Sequence, residues 1–154
     1  LRQYMVDRIN GEKLNMLPSN GRRESYQHLP YPRMTNTFML SGKSKFEELI
    51  SQIEDGVYAV DFENGSVNIS SGQFAFVSSE AYRVKNGKIL YPVKGCSISG
   101  MGIEVLSNII GVSDTVELSL NGGTCGKNGQ SVPVGVGQPH ILVKDMVIGG
   151  SQER

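Results

Sequence analysis

The chain of 154 residues has no tryptophan, only two cysteines, no excess of either charge and no long apolar run. Each shortage removes a class of explanation. Fifteen basic side chains against fifteen acidic ones create no net field to gather nucleic acid or anionic lipid, so direct nucleic-acid binding is not expected as the main business. No window approaches the roughly 18 apolar residues of a membrane helix, and the longest apolar patches are short pieces such as residues 103–110, broken by polar residues. Two thiols and nothing resembling a signal peptide do not imply an oxidising compartment, so the cytoplasm is the expected location. A starting Met is also missing. Leu1, Met5, Ile9 and Leu14 read as the apolar face of a helix already under way, as expected of the C-terminal part of something longer.

What is abundant points to strands. Nineteen glycines, with many Val, Ile and Ser, predict short strands joined by tight turns. The expected fold is α+β and β-dominated, a compact sheet or barrel-like β domain with two or three short helices. Residues 1–43 are expected to form a helix end and an irregular arm, and residues 44–154 a β-rich body. A single domain of this length buries roughly 70% of its unfolded surface and needs no disulfide or metal to fold.

Along the chain, Pro18, Ser19, Asn20 and Gly21 break the first helix. Pro30 and Pro32 lie too close together for a regular element. Ser44, with Glu47 three residues on, predicts a capped helix over residues 44–54. Strand patterns follow, with hairpin turns expected at Asn64-Gly65 and Asn86-Gly87. The broken alternation at Phe74, Phe76 and Val77 predicts a bulge or two-sided burial. Residues 101–110 read as a short amphipathic helix, and the stretch HILVKDMVIGG as a last strand with a bend.

Chemistry concentrates in GGTCGKNGQSVPVGVG, residues 122–137, where one thiol, Cys125, stands among glycines that keep side chains away from it. Two readings stand: a small buried hydrophobe, or a thiolate that serves as ligand or nucleophile. Neither His28 nor His140 lies at metal-ligand spacing from Cys125, and C-x-x-C and H-E-x-x-H are both absent, although a Cys–His pair with either histidine could be assembled in space. A phosphate loop is excluded because Asn121 replaces its first glycine and Asn128 its Ser/Thr. Gly100-Met101-Gly102 lacks the third glycine of a dinucleotide site, since Val105 occupies that place. Arg22, Arg23 and Arg33, among Tyr26, Tyr31 and Phe38, are either a surface for a carboxylate, phosphate or peptide or pins that hold the arm to backbone carbonyls. Glu47, Glu48, Glu54 and Asp55 read as a solvated helix face, and Cys96 as core.

Two stretches, GRRESYQHLPYPRMTNTFMLSGKS and GGTCGKNGQSVPVGVGQP, resemble the C-terminal part of the TldD/PmbA family, also labelled modulator of DNA gyrase, over nearly the whole chain. The resemblance implies a zinc metallopeptidase acting on unfolded or extended peptides, paired as a heterodimer with a TldE/PmbA-type paralogous subunit. It makes Cys125 the carried-over metal ligand. The other ligands, two histidines of an H-E-x-x-x-H helix, and the glutamate that acts as general base are expected upstream. No such motif occurs here, so no catalytic residue is assigned within the chain, and the piece alone is expected to be inactive with an incomplete zinc site. A non-catalytic module for subunit assembly or peptide binding is the alternative, and a direct role at gyrase is a weaker one because no basic groove is visible.

Overall fold

β-Branched and aromatic residues alternate with polar ones through most of the chain, and strands accordingly dominate the computed structural model, which describes residues 4–119 and 122–150. In chain order the elements are α1 (Arg8–Leu14), β1 (Gly21–Arg22), β2 (Tyr31–Pro32), β3 (Thr37–Phe38), α2 (Phe46–Ser51), β4 (Asp55–Val67), β5 (Gln73–Lys85), β6 (Lys88–Pro92), β7 (Ser97–Met101), α3 (Gly102–Ser107), β8 (Ile109–Leu118), β9 (Gly123–Lys127), β10 (Gln130–Val134), β11 (Val136–Val143) and β12 (Val147–Gly149). The fold is α+β and β-dominated, as the composition implies. Its sheets are open, with orders β1-β2, β10-β9, β3-β11-β8 and β12-β7-β5-β4, and no closed barrel occurs among the described residues.

The chain divides into two units. One is Leu1–Leu40 with Val116–Gln138, and the other is Ser41–Thr115 with Pro139–Arg154.

In the first unit, α1 begins only at Arg8, although the apolar spacing predicts a helix already under way at Leu1, which lies outside the described residues. Asp7 supplies the reason: its carboxylate accepts the Asn10 N–H at 2.8 Å, capping the helix at that point. Met5, Ile9 and Leu14 are exposed, whereas Val6 and Gly11 are buried. The expected apolar face of this helix is therefore not its packed face in this chain.

In the second unit, β4 and β5 form a long antiparallel ribbon whose turn lies at residues 68–72, not at Asn64-Gly65. Asn68 takes the turn because its side chain accepts the N–H groups of Ser70 at 3.0 Å and Ser71 at 3.1 Å, an Asx arrangement that needs no backbone partner, while Gly72 adopts φ +76°. Gly65 serves another purpose inside β4. It is the cross-strand partner of Phe76, and a Cβ built on it would lie against Cε1 of that ring at 2.5 Å and Cγ at 2.8 Å. The irregularity involves both strands, β4 between Ala59 and Asn64 and β5 between Val77 and Ala81, a few residues from the expected place. It moves the buried side of β5 from Ser78 to Ala81 and Val84. Asn86-Gly87 does form the predicted turn, with φ of 50° and 70°.

We expect Gly65→Ala to cost about 1–3 kcal/mol, the usual penalty for overpacking, because Phe76 must leave its position beside Phe62 and Phe74, whose ring centroids lie 6.0 and 5.7 Å away. Urea unfolding of the chain measures it, and an unchanged midpoint contradicts the assignment.

α2 starts at Phe46. The carboxylate of Glu48, rather than that of Glu47, accepts the Lys45 N–H at 2.8 Å. Leu49 and Ile50 are the buried positions of this helix, and Ala81, Val84 and Cys96 are the most buried apolar positions on and beside β5. The predicted helix over residues 101–110 is shorter, ending at Ser107 before Ile109 enters β8. The final stretch bends at Asp145, φ 54°, and becomes two strands, β11 and β12.

Candidate functional site

Residues 123–134 fold as a hairpin, β9 and β10, closed by Asn128 (φ 51°) and Gly129 (φ 74°). Positive φ at both central residues matches the twist of the strands. Along β10 the side chains alternate, with Gln130, Val132 and Val134 buried and Ser131 and Pro133 exposed. This alternation fixes the register, so Cys125 sits opposite Val132 and is half-buried. Asn121 lies outside the described residues.

The arm is irregular in backbone but tightly held. Arg22 donates from Nη1 to the Met34 carbonyl and from Nη2 to the Pro133 carbonyl at 2.8 Å. Gln130 accepts the Glu24 N–H at 3.2 Å through Oε1 and donates to the Leu29 carbonyl at 3.0 Å through Nε2. The Glu24 carboxylate accepts the Ser131 N–H at 2.9 Å. Lys127 donates to the Pro32 carbonyl at 3.3 Å. Of the two readings of the arginines, the pins prevail for Arg22 and Arg33, while Arg23 is exposed.

Arg33 does more than pin the arm, and its contact with the sulfur is what sequence reasoning missed. Its side chain is fully buried, and its backbone is fixed by an N–H bond to the Asn20 carbonyl at 2.8 Å and by Asn20 Nδ2 donating to its own carbonyl at 3.2 Å. Nε donates to the Cys125 sulfur at 3.4 Å. Nη2 donates to the Cys125 carbonyl and, at 3.1 Å, to the Gln130 carbonyl. Nη1 has no partner among the described residues. The backbone N–H of Met34 adds a further favourable influence on the charged sulfur. These donors, Arg33 first and Met34 next, hold the Cys125 thiol below its ordinary range despite some opposing desolvation, because hydrogen bonds to the charged form favour it.

Other candidates lie elsewhere. Cys96 is 3% exposed, and burial pushes its thiol upward, as core cysteine behaves. His28 is bound through Nδ1 to Ser25 Oγ at 2.8 Å. His140, in the second unit, packs against Phe46 with ring centroids 4.6 Å apart and faces the Tyr58 hydroxyl at 3.5 Å. Among the described residues, no group of three or more His, Cys, Asp and Glu side chains is placed to hold a metal. No helix among them is long and apolar enough to cross a membrane.

Comparison with known proteins places the chain in a family. The sequence profile of the PmbA/TldA metallopeptidase C-terminal domain matches residues 1–150. The chain is 51% identical over 152 residues to a Haemophilus influenzae protein named metalloprotease TldD homolog, covering 98% of this chain and 32% of that protein. It is 38% identical over 151 residues to a Saccharolobus solfataricus zinc metalloprotease TldD homolog, covering 97% and 33%. Its fold is similar to the crystal structure of TldE from Thermococcus kodakarensis, with a TM-score of 0.71 at 19% identity over 91% of this chain and 29% of that one. The chain thus spans about a third of the length of the curated relatives it matches. On the profile match over residues 1–150 and the identity to named relatives, the chain belongs to the PmbA/TldA metallopeptidase family and corresponds to its C-terminal domain.

Proposed function

We propose that this chain is the cysteine-bearing C-terminal part of a zinc-dependent peptidase that hydrolyses unfolded or extended peptides and works with a TldE/PmbA-type paralogous subunit in the cytoplasm. The observation that carries this reading is the Cys125 sulfur, half-buried and accepting a hydrogen bond from the buried Arg33 at 3.4 Å. That donor set suits one ligand of a zinc site: a thiolate binds zinc well, yet a complete site takes three or four protein ligands. The remaining ligands would come from an H-E-x-x-x-H helix in the other two thirds of such a protein, and this piece alone would neither retain zinc nor cleave peptides. When bound in the whole protein, zinc supplies a polarised carbonyl and an acidified water. The chain's own contribution is to present the sulfur at a fixed place on a rigid hairpin and to bring the arm's backbone to its side.

Elemental analysis of the full-length protein tests the reading. The wild type should carry near-stoichiometric zinc, Cys125→Ala should lose most of it, and hydrolysis of an unfolded peptide should fall with the metal. Equal zinc in both proteins would return Cys125 to a packing role. A second reading, an assembly or peptide-binding module, draws on a separate observation: Leu40, Val60, Phe62, Val67, Ile69 and Leu118 are large apolar side chains left 38–94% exposed. Retained zinc in the alanine variant, with loss of subunit pairing when these positions become polar, would favour it.

A further inference from the structure

The family assignment leaves Arg33 without a task, and its surroundings are poor for a residue placed only for stability. A guanidinium taken wholly out of water is costly unless its donors are satisfied and its charge is paired. Arg33 has no carboxylate at ion-pair distance among the described residues, and one of its terminal nitrogens lacks a partner. The one acidic side chain it does reach is Cys125.

We propose that Arg33 is the positioning residue of Cys125, fixing the direction in which the sulfur is presented. The inference rests on the reading of Cys125 as a metal ligand and adds to it how the ligand is aimed. A thiolate sulfur has three lone pairs. Arg33 Nε occupies one of them at 3.4 Å. The others are left for a metal. Rotation about the Cys125 Cα–Cβ bond would break this hydrogen bond, so the side chain has one favoured orientation. Arg33 also fixes the backbone that carries the sulfur, since Nη2 bridges the carbonyls of Cys125 and Gln130 on the two strands of the hairpin. Its planar fork permits this: Nε and Nη2 point the same way in rigid register, a geometry a lysine cannot copy. Partners outside the ligand shell act on metals in this manner by orienting the ligands and tuning their basicity.

The test uses the full-length protein, loaded with cobalt(II) in place of zinc, as wild type, Cys125→Ala, Arg33→Lys, Arg33→Gln and Gln130→Ala. The readouts are the sulfur-to-cobalt charge-transfer band and the cobalt affinity, with thermal unfolding as the check on folding. Cys125→Ala should abolish the band. Both Arg33 variants should keep a band at altered energy and bind cobalt roughly 10- to 100-fold more weakly, the range for loss of an outer-shell partner. Gln130→Ala loosens the same arm through its bonds to Glu24 and Leu29 without touching the sulfur, and should leave the band at its wild-type energy.

A band that survives in Cys125→Ala overturns the ligand reading itself. Loss of the band in that variant, with wild-type band and affinity in the Arg33 variants, overturns the positioning role alone, as does an equal band shift in Gln130→Ala. Should the Arg33 variants unfold, the wild type decides. Loaded with a spin-half cadmium isotope, it should show nuclear coupling from the metal across sulfur to the Arg33 Nε–H, and absence of that coupling rejects the proposal.

Discussion

In the metal-free chain, iodoacetamide should modify Cys125 at least about 1,000-fold faster than Cys96 at neutral pH. Two causes act in the same direction. Cys96 is 3% exposed and can react only after local opening, and an opening that costs about 4 kcal/mol suppresses the rate by about three orders of magnitude. The attacking species is the thiolate, and burial raises the Cys96 thiol while Arg33, then Met34, lower that of Cys125. The alkylation rate of Cys125 should therefore reach half its plateau below the ordinary value of 9.0. Arg33→Met should move that midpoint upward. The same shift has a consequence for stability. A group whose folded pKa is depressed contributes stability that is fully present above its unfolded value and is lost as pH falls through the folded value. The contribution from Cys125 is thus complete above the ordinary value, fades as the pH falls from there through the lowered pKa, and is gone below it. Two cysteines that react together, or a Cys125 profile centred at or above 9.0, would remove the Arg33 contact from the account.

The parts of this fold that could be read from residues alone are those decided by local chemistry. Asn86-Gly87 is a turn because both residues tolerate positive φ, and the strand-rich character follows from composition. Asn64-Gly65 carries the same local signal and is not a turn. Gly65 is there for the ring of Phe76 on the neighbouring strand, and that ring is invisible to a window of a few residues. Helix α1 fails in a related way. Its apolar spacing is sound, but Met5, Ile9 and Leu14 are exposed, so spacing said nothing about what covers that face. At the site, Cys125 stood out by its glycine neighbours and by a family resemblance. Arg33 did not, because its role is made by hydrogen bonds to residues more than 90 positions away. A proline-flanked arm gives no periodic signal, and an arginine within it looks the same whether it faces solvent or lies buried against a sulfur.

Gly42→Ala should be among the most damaging single-methyl additions in the chain, destabilising the second unit by about 3 kcal/mol, the upper part of the range for overpacking. The cause is a close approach of two backbones. Residues 42–44 run beside β8, with the Gly42 N–H donating to the Ser113 carbonyl at 2.7 Å, the Ser44 N–H to the Val112 carbonyl at 3.3 Å and the Asp114 N–H to the Ser44 carbonyl at 2.9 Å. A Cβ on Gly42 would collide with the Val112 carbonyl oxygen and lie 2.7 Å from its Cβ. The obstacle is main chain, so no rotamer change relieves it, and the segment must part from β8 at the expense of these three bonds, worth about 1 kcal/mol each. Gly126 offers the contrast. It adjoins Cys125 in the glycine-rich stretch, but its Cβ would meet nothing within 4 Å and no positive φ demands glycine there. Gly126→Ala should leave the metal-free chain unchanged or stabilise it by up to about 1 kcal/mol through the unfolded state. Urea unfolding of the two variants separates them. Equal midpoints would mean that the segment near β8 can shift freely, and a destabilised Gly126→Ala would mean that the hairpin is more crowded around Cys125 than its geometry indicates.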